Sequence, residues 1–371
     1  MNRIPTWCKT VFSAKGHAFV VRAAKIMAVA TLMLAPIAAG ADDDPVVRIM
    51  TQNMDEGTDF QELAAARSPA EFVAAVTTTF ENIEATAPAA RAAAIAREIA
   101  RVRPDLVALQ EASIVRTGAT PPATTVQSDL LQLLIGELAK LGQHYGVVVM
   151  LPGLDAEAPS TLGFDVRLTT QDAIIARMDR PELKLSNVQA QHFAINLIFP
   201  SAVGPIPFTR GWASVDVKLH GRSFRFVTTH LDIVPPIQAA QAQELVQSAG
   251  NTPLPVIFAG DFNATASDRT DPTFATYQGI LDAGFVDAWS ETHARNPGFT
   301  CCQAVDLRNA DPTLSIRIDL VLLRGGFNIE DIQLVGDRPR DRTPSGLWPS
   351  DHAGVAATLK LPEAREHERG R

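Results

Sequence analysis

Apolar runs of strand length that each stop on a polar residue set the plan of this chain. The sharpest is Pro255-Val256-Ile257-Phe258-Ala259-Gly260-Asp261-Phe262-Asn263, where an unbroken apolar segment reaches a glycine and then an acid and an amide two residues apart. A run without polar alternation reads as a strand covered on both faces, because a strand with one wet face alternates. Four other runs end in the same manner, at Asn53, at Glu111, at His230, and at the pair Asp351 and His352. A sixth, Arg317-Ile318-Asp319-Leu320-Val321, carries its acid inside the run. Burying that charge is costly unless it is paired or lies near a cation.

Between these runs the pattern turns helical. Gln61 to Phe80 is Ala-rich with helical spacing, interrupted at Ser68-Pro69, which reads as an N-cap followed by the first helical position. Ala89 to Val102 places Ile95, Ile99 and Val102 on one face, 128–141 is amphipathic, and a helix is expected from Ile237 to Ala249 after the break at Pro235-Pro236. Residues 113–126, 152–163 and 337–350 read as loops, and Phe164–Leu168 with Asp172–Arg177 as paired strands. Further strands are expected near 184–198, 211–219, 223–229, 315–323, 327–335 and 353–360. Strands alternating with helices and hairpins predict a mixed α/β fold of packed layers, with its polar strand ends gathered on one edge.

The first 41 residues differ from the rest. They hold five basic residues and no acid, then an apolar run from Ile26 to Ala38 closed by Ala39-Gly40-Ala41. That is the pattern of a secretory signal cleaved after Ala41, and the apolar run is short of the roughly 20 residues that span a bilayer. The expected organisation is therefore a signal peptide over 1–41, one domain over 42–361, and a charged, disordered tail over 362–371, in a protein that is periplasmic or secreted. Removing the five basic residues from the chain's 33 leaves 28 against 41 acidic, a balance of about −13. Such a surface argues against tight non-specific nucleic-acid binding, which rests on Lys and Arg neutralising phosphates. It leaves room for an enzyme that meets a phosphate ester through a bound cation. After cleavage the cysteines are the neighbours Cys301 and Cys302, either a vicinal disulfide or two thiols, and two neighbours cannot staple distant segments.

A single acid or amide after a strand is usually a turn residue or a helix cap. The functional reading rests on recurrence. Asp261 can take a proton or hold a cation, and Asn263 can donate to an anion and accept at once, which suits a water attacking a charged ester. Taken in order, Asn53, Leu109-Gln110-Glu111, Thr229-His230-Leu231, Gly260-Asp261-Phe262-Asn263, Arg317-Ile318-Asp319 and Ser350-Asp351-His352 resemble the motif series of the endonuclease/exonuclease/phosphatase superfamily. The resemblance runs over about residues 46–360 and implies a four-layer α/β sandwich of two packed mixed sheets flanked by helices. It also implies a Mg²⁺-dependent phosphoesterase, with Mn²⁺ as the other candidate ion, since an oxygen-rich site suits these better than zinc.

Carried over residue by residue, Glu111 is the main metal ligand, with Asn53 beside it and Asp351 as a further ligand. Asp261 orients or deprotonates water, Asn263 holds water and phosphate, and His352, backed by Asp319, contacts the scissile phosphate. His230 binds phosphate or protonates the leaving oxygen. Arg210 and Asp172 are further candidates for the substrate pocket, and no acid is identified as the partner of His230. The substrate is a phosphoester of a small molecule, a lipid head group or a nucleic acid. No exposed aromatic hairpin for membrane contact is evident, no feature points to a protein partner, and a monomer is expected.

Overall fold

The computed structural model describes residues 45–363. The leader expected to end at Ala41, and the tail from residue 364, lie outside the described residues. In chain order the strands are β1 (Val46–Asn53), β2 (Leu106–Gln110), β3 (Ile114–Gly118), β4 (Thr125–Asp129), β5 (Tyr145–Pro159), β6 (Asp165–Arg177), β7 (Lys184–His192), β8 (Leu197–Ser201), β9 (Gly204–Phe208), β10 (Gly211–Leu219), β11 (Arg222–His230), β12 (Val256–Asp261), β13 (Val286–Asp287), β14 (Asp319–Arg324), β15 (Asn328–Val335) and β16 (Gly354–Lys360). The helices are α1 (Gln61–Ala65), α2 (Pro69–Ala85), α3 (Pro88–Val102), α4 (Leu130–Lys140), α5 (Pro235–Gln247), α6 (Phe274–Asp282) and α7 (Ala288–Thr292).

One mixed sheet has the order β15-β16-β1-β2-β6-β3-β4, with β5 also on β6, and the other has the order β13-β14-β12-β11-β10-β7. Each contains one parallel pair, β1 with β2 and β11 with β12. A parallel pair needs a crossover, and here the crossovers are helical: α1 to α3 in the first case and α5 in the second.

The unbroken apolar runs are explained by what covers their two faces. Ile49, Leu106, Ala108 and Ile174 of the first sheet meet Val215, Phe226, Ile257, Ala259 and Val321 of the second in one core between the sheets. The alternate residues Met50, Val107, Leu109 and Ile175 face away from it, onto Ile95 and Ile99 of α3 and Leu131, Leu134 and Leu138 of α4. On the far side, Val227, Phe258 and Leu322 pack on Leu245 of α5 and Ile280 of α6. The result is the expected helix–sheet–sheet–helix sandwich. Phe258 is fully buried and stacks on Phe285 with centroids 4.3 Å apart. Burying a side chain of that size contributes roughly 2–3 kcal/mol.

Ser68 caps α2 as its sequence indicates, its hydroxyl accepting from the Glu71 amide. Pro235 and Pro236, expected to break the chain before a helix from Ile237, are instead the first two residues of α5, where a missing amide costs nothing. Several loop and strand expectations are corrected. Residues 113–126 are not a loop throughout: they hold β3, the turn after it and the start of β4, with Val115 and Thr117 buried and their neighbours half-exposed. Residues 152–163 are largely the second half of β5, whose register against β6 shifts between Pro152 and Asp155. A bulge there accommodates the Pro152-Gly153 pair that reads as a breaker. The two stretches expected over Phe164–Leu168 and Asp172–Arg177 are not partners; from Asp165 onward they are parts of the single strand β6. Asp319 does not sit inside its strand; it opens β14.

The expected strand over 184–198 stops at His192, and a separate two-stranded hairpin, β8 with β9, follows. It exposes Ile198 and Val203, 64% and 53% accessible, so an apolar hairpin exists where none was expected. Among the described residues no helix is long and apolar enough to cross a membrane.

One buried acid lies away from the strand ends. Glu98 of α3 is 2% exposed and neither carboxylate oxygen has a hydrogen-bond partner. Burial, with Asp341 adding to the rise, pushes its carboxyl up to about 8. A group whose folded value is raised this way is protonated in the native chain and ionised in the unfolded one, so stability falls as pH rises from about 4.5 to about 8. Glu98→Gln removes the ionisation. Denaturant midpoints should show the Gln variant more stable by about 4 kcal/mol at pH 8 and level with the parent near pH 4.5. Parallel pH profiles for the two proteins would contradict this.

Candidate active site

The register of the second sheet builds half of the site. His230 lies beside Asp261 across the β11–β12 pair, and Asp261 beside Asp319 across β12–β14, so three titratable residues stand in one row at the sheet edge. The row needs Gly260: a Cβ there would lie 2.1 Å from the Thr229 carbonyl oxygen, so no larger residue fits. The first sheet supplies Asn53 at the end of β1, paired with Gln110, and Glu111 directly after β2. Two hydrogen bonds lock the sheets together at this edge. Gln110 Nε2 donates to Thr228 Oγ1 at 2.9 Å, and Asn53 Nδ2 donates to Asp261 Oδ2 at 3.2 Å.

Asn53 is the hinge of the arrangement. Its Nδ2 also donates to Glu111 Oε1 at 3.0 Å, and its Oδ1 accepts from the Asp55 amide at 2.9 Å. Glu111 Oε2 accepts from the Glu56 amide at 3.1 Å. Asp55, Glu111 and Asn263 all take the left-handed backbone conformation, with φ of 58°, 53° and 49°. Asn and Asp enter that region readily, but for Glu111 it costs about 1 kcal/mol, a strain that clusters where side chains are aimed.

His352 is held from one side. Its Nδ1 donates to Asp319 Oδ2 at 2.8 Å, while Nε2 lies 3.9 Å from both Asp261 Oδ2 and Asp351 Oδ1. Burial alone would lower its pKa, but the charges of Asp319, Asp351 and Asp261 and the bond to Asp319 hold it well above the usual range, as an imidazolium. Asp261 is pushed the other way. Burial would raise it, yet His230, His352 and the donors Asn263 N and Asn53 Nδ2 hold it below the usual carboxylate range. The same Asn263 amide, at 2.8 Å, and Asn263 Nδ2 on the Leu231 carbonyl at 2.9 Å fix the turn after β12.

His230 finds partners on both ring nitrogens. Arg210 Nη1 donates to Nδ1 at 2.5 Å, and a guanidinium can only donate, so the ring carries its proton on Nε2. That nitrogen points at Asp261 Oδ2, 3.3 Å away, with Glu111 Oε1 at 3.9 Å. Asp172 Oδ1 lies 3.8 Å from Nδ1 and accepts from the Glu111 amide at 3.4 Å. The two substrate candidates, Arg210 and Asp172, thus sit behind His230, and both also line a small pocket with Leu151, Gln171 and Thr209. Asp172 points here because β6 runs straight through it.

The fold therefore brings Asn53, Glu111, Asp172, Arg210, His230, Asp261, Asn263, Asp319, Asp351 and His352 to one edge. It adds residues not singled out from the sequence. Asp55 and Glu56 fold back from β1 onto Glu111, and Ser113 Oγ donates to Glu56 Oε2 at 3.1 Å. Behind them Arg91 is fully buried and donates to the carbonyls of Met54, Asp55, Thr86 and Pro349, clamping the segments that follow β1 and precede Asp351. Its signal was visible: Arg91, Ile95 and Ile99 share one helical face, and a cation on an apolar stripe needs a buried partner.

The acids are crowded. Asp351 is pushed up to about 8 by burial and by Asp55 and Glu111, and Asp55 Oδ2 is buried without a hydrogen-bond partner. Burial and Glu111 likewise push Glu56 well up. All the donors here are oxygens, the set a hard divalent cation takes. Beside them, Asp261, Asp319 and His352 bring donor atoms within 4.8 Å of one another.

This geometry has relatives. A family model described as the Endonuclease/Exonuclease/phosphatase family matches residues 50–352. The chain belongs to that family. Its members are in general hydrolases of phosphoester bonds that depend on a divalent metal. Among solved structures, the chain is similar to an endonuclease/exonuclease/phosphatase family protein from Leptotrichia buccalis, at 16% identity and a TM-score of 0.56, covering 85% of this chain and 100% of that one. It is also similar to D. rerio TDP2 complexed with a single-strand DNA product, at 20% identity and a TM-score of 0.52, covering 85% and 99%. A third is the family protein from Bacteroides thetaiotaomicron, at 16% identity and a TM-score of 0.51, covering 86% and 99%. At these identities the likeness is one of fold. No curated protein matches the chain.

Proposed function

We propose that the chain is an exported, Mg²⁺-dependent phosphoester hydrolase in which water attacks phosphorus at the edge shared by the two sheets. The observation that carries this reading is the pair of hydrogen bonds donated by Asn53 Nδ2, which ties Glu111 to Asp261. It sets a cation-binding carboxylate and a water-positioning carboxylate side by side. Export rests on the basic leader and the Ala39-Gly40-Ala41 pattern.

Glu111, Asn53 and Asp351 would hold the ion, and the crowded, buried carboxylates with an unpartnered oxygen on Asp55 fit it. When bound, the divalent cation supplies positive charge to the phosphate oxygens. The chain's own groups do the rest. Asp261, kept ionised, orients the water and accepts its proton. Asn263, at the turn beside it, positions the water and the phosphate. His352, cationic and oriented by Asp319, donates from Nε2 to a phosphate oxygen as charge develops there. His230, with its proton on Nε2, donates to the phosphate or to the leaving oxygen.

A panel of plasmid DNA, RNA, sphingomyelin and p-nitrophenyl phosphates, each with and without EDTA, tests the reading. Hydrolysis of one substrate that EDTA abolishes is expected, and no turnover on any would favour a non-catalytic binding domain. A lipid head group is favoured over a nucleic acid by one observation. Ile198 and Val203 of the β8–β9 hairpin, with Ile195 and Ile233, expose apolar surface, and the hairpin reaches the site through Phe208, whose ring lies 4.8 Å from the Arg210 guanidinium. Ile198→Asp with Val203→Asp should slow hydrolysis of vesicle-borne sphingomyelin at least tenfold and leave bis(p-nitrophenyl) phosphate untouched. Equal rates on vesicles would remove this reading and favour the nuclease.

A further inference from the structure

The segment Thr300–Gln303 is wedged between the strand that carries Asp319 and the residues that carry His352. The Thr300 carbonyl accepts from the Ala353 amide at 2.7 Å, and the Gln303 amide donates to the Asp351 carbonyl at 2.8 Å. On the other side, the Ile316 amide donates to the Cys301 carbonyl at 3.0 Å. Thr300 Oγ1 accepts from the amides of Ile318 and Asp319, each at 3.1 Å. Cys301 is thereby buried against His352, while Cys302 faces solvent.

The two sulfurs are bonded to each other. A link between neighbours closes no loop of chain, so it contributes little of the unfolded-state restriction by which disulfides stabilise a fold. Its position suggests another use. The sulfurs of Cys301 and Cys302 and a ring nitrogen of His352 lie within 4.8 Å of one another. Two thiolates and an imidazole form a soft donor set, unlike the oxygens around Glu111, and a tetrahedral ion holds such ligands roughly 3.5–3.8 Å apart.

We infer that Cys301, Cys302 and His352 form a second, redox-gated cation site, which takes a thiophilic divalent ion of the zinc and cadmium class once the disulfide is reduced. Reduction by a phosphine consumes one water: the phosphine becomes its oxide and the disulfide becomes two thiols. The ion then displaces three protons to solvent, one from each thiol and one from the ligating nitrogen of the cationic His352, and binds both sulfurs and the neutral imidazole that results. Oxidation to the disulfide removes the site. An ion held there draws His352 away from phosphate, so the reduced, loaded protein is the inactive form. The binding itself requires no hydrolytic activity, and it can be read without a substrate.

The test is a cadmium titration of the full chain carrying Cys8→Ser, so that Cys301 and Cys302 are its two cysteines, followed by cadmium–thiolate absorption after phosphine reduction and removal of the phosphine. The reduced protein should saturate at one equivalent, with the oxidised protein and Cys302→Ser silent. Cys302 is exposed, so its replacement by serine does not disturb the core. His352→Ala should weaken binding at least tenfold, and in the parent the cadmium-113 resonance should report nitrogen among the sulfur donors, whether or not that variant folds. A reduced protein without cadmium–thiolate absorption would overturn the inference. So would a folded His352→Ala that titrates like the parent, or a resonance that reports sulfur donors alone.

Discussion

Asp261→Ala and His352→Ala should each lower kcat/KM for bis(p-nitrophenyl) phosphate by about a hundredfold to a thousandfold while the fold is retained. Asp261 is the only carboxylate of the row that both histidines approach, with His230 Nε2 at 3.3 Å and His352 Nε2 at 3.9 Å, and it is held ionised by them. Removing it takes away the group that positions and deprotonates water, a contribution of about 10²–10⁴ for general-base catalysis. Removing His352 deletes a cationic donor aimed where charge develops, worth about 10²–10³. The two act on one event, so the double variant should lose less than the product of the single losses. Asp319→Asn keeps the ring in place but removes the charge that makes it cationic, and should fall between the parent and His352→Ala. Rates within a factor of a few of the parent for either single alanine variant would remove both residues from the chemistry.

Arg91→Met should cost about 3–5 kcal/mol of unfolding free energy and abolish activity at the same time. The guanidinium is fully buried and satisfies the carbonyls of Met54 and Asp55 on one side and of Pro349 on the other. Its Nη1 also lies 3.8 Å from Asp55 Oδ2. Methionine fills similar volume but donates nothing, leaving four buried carbonyls without their donor and the Asp55 carboxylate without its neighbouring cation. Because these segments flank Asn53 and Asp351, even molecules that stay folded should bind Mg²⁺ more weakly. Denaturant unfolding and a Mg²⁺ titration of the folded fraction separate the two effects. A variant as stable as the parent would show that water or rearranged side chains replace the clamp.

The layered fold was legible because its evidence is local. Ile257 and Ala259 face one layer while Val256 and Phe258 face the other, so the run has no polar alternation, and the fold follows from that. The ordered recurrence of polar strand ends likewise exposed Asn53, Glu111, His230, Asp261 and His352. What escaped was non-local. Whether Gln171-Asp172 is a turn or mid-strand depends on pairing with β5 and β2, which no short window records. The partner of His230 comes from Arg210, beyond the end of its own strand and set by the β10–β11 register. The hairpin after His192 was merged with the strand before it, because Leu197-Ile198-Phe199 continues the apolar β-pattern while facing solvent. Arg91 was masked by the alanines around it, although its face of α3 marked it.

In the proposed function, Glu111 and Asp261, joined through Asn53, bind a cation and a water for attack on a phosphate ester. The most direct measurement is the rate of bis(p-nitrophenyl) phosphate hydrolysis by EDTA-stripped protein as Mg²⁺ is returned, for the parent and for Glu111→Gln. The parent should be silent when stripped and regain its full rate with Mg²⁺, and Glu111→Gln should need at least tenfold more Mg²⁺ for half its own maximum. Full activity in stripped parent protein, or an unchanged Mg²⁺ requirement in Glu111→Gln, would contradict the account.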